Sequence, residues 1–159
     1  MARSDAESWA LSREPSARVY ADGSALSRYL PGAPYGAQWL EWADAHLDSL
    51  VTSPLGVSEL RGIARIRGGD APAIAADLAF RVPVARFSDQ AVRKATDVAG
   101  VLPPFVALHV GTALADPDVD AVATYDVHLA RVAALYGLTV VSPGRAARWW
   151  ESDPAPWVR

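Results

Sequence analysis

Short apolar runs alternate with segments of helical period along most of this chain. Arg18 to Ala21 is a brief apolar run, and Leu50 to Thr52, Val82 to Phe87, Val119 to Thr124 and Leu138 to Val141 are four more. Runs of this length, bounded by turn or cap residues, predict buried strands. Between them, Ser24 to Leu30 predicts a short helix stopped by Pro31-Gly32. Ala37 to Leu47 predicts another, with Leu40, Ala43 and Leu47 on one face. Ser53-Pro54 opens a longer helix, because Ser caps and Pro fits the first helical position. It runs to about Arg67 and ends at Gly68-Gly69. Pro72 to Ala79, Asp89 to Ala99 behind Ser88, Pro104 to Ala115, and Val127 to Tyr136 before Gly137 complete the helices.

Strands that alternate with helices predict an α/β fold, with a mainly parallel sheet covered on both faces. In such sheets the loops at the carboxyl ends of the strands form the functional crevice. Asp22 and Asp126 each follow a strand end, which places both at one edge of the sheet. Periodicity does not place Glu59 beside them.

The chain has 159 residues, which predicts one domain, and a 51% hydrophobic content is enough for a proper core. Residues 1–17 read as a polar leader with a flexible character unless Trp9 docks, 18–144 as the folded domain, and 145–159 as a tail. Fifteen basic against 18 acidic residues leave a net charge of −3. That balance disfavours a sequence-blind nucleic-acid binder but leaves room for a local basic groove. With no cysteine, disulfides and thiolate metal sites are excluded. The apolar stretch from Val98 to Ala115 is broken by Pro103-Pro104 and is a poor membrane span. The expected setting is a reducing cytoplasm, with no membrane partner.

Clustered carboxylates repel one another unless a cation or proton intervenes. An oxygen-only donor set suits Mg²⁺ or Mn²⁺, and such an ion can activate water for phosphodiester hydrolysis. Taken singly, the acids have plainer explanations. Asp126 reads as a helix cap, Asp22-Gly23-Ser24 as a turn, and Glu59 as a solvated helix residue.

Their phrases carry more together than apart. Tyr20-Ala21-Asp22-Gly23-Ser24-Ala25-Leu26, then Ser53 through Arg61 with Glu59, then Thr124-Tyr125-Asp126 with Leu129-Ala130, and then Leu135 through Gly144 occur in that order. The ordered set resembles the PIN-domain ribonucleases of the VapC toxin type, across about Val19 to Gly144. The resemblance implies a three-layer α/β/α sandwich and Mg²⁺-dependent (or Mn²⁺-dependent) endoribonuclease chemistry within a toxin–antitoxin pair. It also implies a homodimer, an RNA substrate and a small cognate antitoxin. Asp22, Glu59 and Asp126 would be the catalytic metal ligands, supported by Ser24 and Thr124. The family places another acid at the start of the helix that here holds His109 and Thr112-Ala113. Val106 stands in that place, and no Asp or Glu lies between Asp97 and Asp116. A valine has no lone pair, so metal binding should be weakened. The alternative is a catalytically impaired PIN-like protein that binds an antitoxin or RNA.

Other residues are weighed against plain roles. Arg61 and Arg65, four apart on one helix, could meet RNA phosphates or a partner's carboxylates, or form a solvated face. Gly56 and Gly62 read as close packing against the sheet, or as room for a partner. His109 reads as a packed, hydrogen-bonded core residue, and Trp39 and Trp42 as core. Trp149, Trp150 and Trp157 either dock on the domain or anchor a partner.

Overall fold

The computed structural model describes residues 17–157. All of the expected leader of residues 1–17 except Ala17, and with it the docking of Trp9, lies outside the described residues. Four strands form one parallel sheet: β1 (Arg18–Ala21), β2 (Leu50–Val51), β3 (Val119–Ala123) and β4 (Thr139–Val141), in spatial order β2-β1-β3-β4. The helices are α1 (Gly23–Leu26), α2 (Gly36–His46), α3 (Pro54–Arg67), α4 (Ala71–Arg81), α5 (Asp89–Val98), α6 (Pro104–Ala115), α7 (Val127–Leu135) and α8 (Trp149–Ser152). They cover both faces of the sheet, so the architecture is a three-layer α/β/α sandwich.

The pleat of β1 divides the core in two. Val19 and Ala21 point into a cluster with Leu26, Trp39, Leu60, Ala64 and Leu78. Tyr20 points the other way, into a cluster with Val98, Val110, Val122, Leu129 and Val132. Alternation of this kind follows from the two-residue period of a strand. In β3, Val119 pairs with Arg18 but Ala121 pairs with Val19, so Asp120 is an extra, exposed residue. This bulge shifts the phase and lets Val119 and Val122 share one face.

The run Val82 to Phe87, expected as a strand, is not one. Only Val84 bridges to Thr52. Thr52 donates its N–H to Pro83 O at 3.0 Å, and Ala85 donates to Thr52 O at 2.7 Å. Pro83 has no N–H to extend the ladder, and α4 continues to Arg81 and consumes the residues before it. Helix α1 is shorter than expected, because its second half tightens into a 3-10 turn over Ser27–Tyr29.

Two close approaches depend on glycine. A Cβ on Gly56 would collide with Thr52 Oγ1, which itself donates to Ala21 O at 2.7 Å. A Cβ on Gly111 would meet the α5 backbone, lying 2.6 Å from Ala95 N. Gly56 thus serves the packing read from sequence. Gly62 does not: a Cβ there would meet nothing within 4 Å.

The tail folds back. Trp149 is buried, and the Arg131 guanidinium of α7 donates to Trp150 O at 3.1 Å, Asp153 O at 2.7 Å and Ala155 O at 2.6 Å. Trp157 remains partly exposed, with its ring 5.3 Å from the Arg131 guanidinium carbon.

Candidate functional site

Asp22 leaves the end of β1 and caps α1. Its Oδ1 accepts from Ala25 N at 2.9 Å and from Ser24 Oγ at 2.7 Å. Its Oδ2 accepts from Thr124 Oγ1 at 2.8 Å. Read alone as a turn, Asp22 is instead a helix cap, and the same carboxylate also faces a hollow. Ser24 Oγ accepts from Tyr125 N at 2.8 Å, and Thr124 Oγ1 accepts from Asp126 N at 3.0 Å. These two hydroxyls tie the loop after β1 to the loop after β3. Asp126 caps α7, accepting from Leu129 N at 2.8 Å.

Glu59 projects from the second turn of α3, where Ser53 caps and Pro54 begins the helix. Its Oε2 accepts from Gly23 N at 3.0 Å. Gly23 is small of necessity, since a Cβ there would collide with the Glu59 carboxylate. Asp22, Ser24, Glu59, Val106, His109 and Asp126 line one hollow of about 390 Å³. Ile63, Ile66 and Leu129 form its apolar wall. Periodicity left Glu59 unplaced; the packing of α1 on α3 brings it to this hollow. Arg61 and Arg65 are not among its lining residues and face a second hollow on the far side of Gly62.

His109 was read as core, and it is buried. It is also the polar centre of the site. Its Nε2 lies 3.0 Å from both Oε1 and Oε2 of Glu59, and its Nδ1 lies 2.7 Å from Tyr20 Oη. Tyr20 donates to Ser53 Oγ at 2.8 Å, which leaves its oxygen to accept from Nδ1–H. Both ring nitrogens can then act as donors, the arrangement that favours the protonated ring. Burial by itself would lower the His109 pKa. The Glu59 hydrogen bond and the charges of Asp22, Glu59 and Asp126 outweigh it, and the net shift is upward. Burial raises the Asp22 pKa, opposed by His109 and by the hydrogen bonds from Ser24, Ala25 and Thr124. Burial also pushes the Tyr20 hydroxyl far up, so it stays protonated. The signal for His109 was in the sequence: it lies three residues after Val106, on the same helical face.

The carboxylate donor set is all oxygen, which fits a hard divalent cation. Among the described residues, no three His, Asp or Glu side chains are gathered as a ready-made cage. Asp22 is engaged by α1 and Thr124, Glu59 is held by His109 and Gly23 N, and Val106 fills the remaining wall without a donor.

Among the described residues, no helix is long and apolar enough to cross a membrane. No protein-family model matches this chain, and no curated protein matches it. Its structure is similar to a chain in the crystal structure of FitAcB from Neisseria gonorrhoeae, with a TM-score of 0.59 at 19% sequence identity. The match covers 79% of this chain and 97% of that one. With the parallel four-stranded sheet between two helical layers, this likeness gives the chain a PIN-like α/β/α fold.

Proposed function

We propose that this chain is the toxin-like member of a toxin–antitoxin pair, a Mg²⁺-dependent endoribonuclease whose metal affinity is reduced by Val106. The observation that carries the reading is the sharing of one hollow by Asp22, Glu59, Asp126 and Val106 at the carboxyl edge of the sheet. Asp22, Glu59 and Asp126 would hold Mg²⁺ or Mn²⁺. Bound there, the ion would supply Lewis-acid activation of water and charge stabilisation at the phosphodiester. The chain's own residues do the positioning. Ser24 and Thr124 orient Asp22, His109 and Gly23 N orient Glu59, and the α7 cap orients Asp126.

The hollow also has an apolar rim. Ile66 is 84% exposed beside Ile63 and Val106, which suits an apolar segment of a small antitoxin lying across the acids. An RNA substrate would place the pair in the cytoplasm, and a homodimer is part of the same reading.

A binding-only role is the second reading, favoured by Val106 and by the His109 hold on Glu59. Calorimetric titration with Mg²⁺ and Mn²⁺, followed by RNA cleavage with an Asp22→Asn control, separates the two. Cleavage by the natural chain that is lost in Asp22→Asn supports the nuclease. Tight antitoxin binding without cleavage at saturating Mn²⁺ replaces it with the binding role.

A further inference from the structure

A second hollow, of about 680 Å³, runs along the other side of α3 and is lined by Ser58, Arg61, Gly62, Arg65, Ala79 and Val84. We infer that it is a phosphate-backbone site for single-stranded RNA, continuous with the acid hollow across Gly62. The inference rests on the RNA reading of that hollow.

Three observations carry it. Glu59, Gly62, Ile63 and Ile66 line the acid hollow, whereas Ser58, Arg61, Gly62 and Arg65 line the second one. These are neighbouring stripes of one helix, offset by a single residue, and they share Gly62. A Cβ on Gly62 would meet nothing within 4 Å, so the helix surface is open at the residue the two hollows share. An interior glycine weakens a helix, and here no tight packing requires it.

The arginines are also set apart from most others. Arg18, Arg81 and Arg148 form ion pairs. Arg28, Arg67, Arg93 and Arg131 donate to backbone carbonyls, and Arg145 lies over Trp149. Arg61 and Arg65, like Arg86, are exposed and have no side-chain hydrogen bond or ion pair among the described residues, but only these two line the cleft. Two guanidiniums on a chain of net charge −3 are thus left free on one wall of a cleft. Four residues of helix separate them by about 6 Å along the axis. That is of the order of the step between successive phosphates in an extended strand, and guanidinium matches phosphate geometry. A strand lying on Arg61 and Arg65 lies one helical stripe from the acid hollow, with only Gly62 shared between the two.

The test is fluorescence anisotropy of a labelled single-stranded RNA with the full chain in EDTA, so that binding is read without cleavage. Arg61→Gln and Arg65→Gln should each weaken binding about three- to tenfold. Each should also reduce the slope of log affinity against log salt by about 0.7. Gly62→Leu, which keeps both arginines, should weaken binding about tenfold, with circular dichroism confirming an intact fold. Wild-type affinity and salt slope in both arginine variants would overturn the site, as would an absence of RNA binding by the natural chain. An acidic peptide that loses affinity in these variants while RNA does not would make the cleft a protein-docking site instead. RNA binding that needs Arg61 and Arg65 without any cleavage leaves this site standing and removes the nuclease reading. Cleavage unaffected by either substitution does the reverse.

Discussion

His109 Nε2 sits 3.0 Å from each carboxylate oxygen of Glu59, so one buried ring bridges the α6 and α3 sides of the acid hollow. The contact links a side chain that is 3% exposed to one that is 33% exposed. It is therefore part of the core on one side and part of the site on the other.

Removing that link should cost stability. His109→Gln leaves Glu59 without its charged donor and Tyr20 without a ring partner. We expect a loss of about 2 kcal/mol, the scale of a hydrogen bond to a charged group. Urea unfolding of His109→Gln, Glu59→Gln and the double variant would measure it. Additive losses in the double variant would show that the two side chains are not coupled.

The same pair sets a pH dependence. The His109 pKa is raised on folding, so the native state holds that proton more tightly. Its stabilisation is complete below the unfolded value, about 6.5, and fades as pH rises through the raised folded value. Asp22 is shifted in the same direction, with its window starting at lower pH. The melting temperature should fall as pH is raised above about 6.5, and this fall should flatten in His109→Gln. A melting temperature that rises across this range would contradict an imidazolium.

Val106→Asp adds an oxygen donor to the wall of the hollow. Calorimetry should show Mg²⁺ binding tightened by about tenfold, equivalent to about 1.4 kcal/mol. Without metal the variant should lose about 1–2 kcal/mol of stability, because a fourth carboxylate then faces three others. Unchanged metal affinity in a folded variant would mean that position 106 does not reach the cation.

Arg131 holds the tail by three carbonyls. Arg131→Gln should free the segment around Trp150 to Trp157 at a cost of about 2 kcal/mol. Limited proteolysis would then cut the tail first, with a red shift in tryptophan emission. Protection equal to the natural chain would place the hold in Trp149 burial instead.

Local pattern determined the elements and their order, because strand and helix periods, Ser53-Pro54, Ser88 and the glycine stops are signals carried by neighbouring residues. It also put Asp22 and Asp126 at one sheet edge, since both follow strands of a parallel sheet. Val82 to Phe87 misled because an apolar run with a proline cannot continue a ladder, whatever its hydropathy. Tertiary structure decided the rest. Glu59 reaches the acids only because α3 packs on α1 with Gly23 too small to block it. His109 becomes part of the site only because α6 lies where its ring spans Glu59 and Tyr20. That Gly62 borders two hollows at once appears only in the packed structure. A sequence period can state which face of a helix a residue occupies. What that face meets depends on chain segments dozens of residues away, and that is fixed by packing alone.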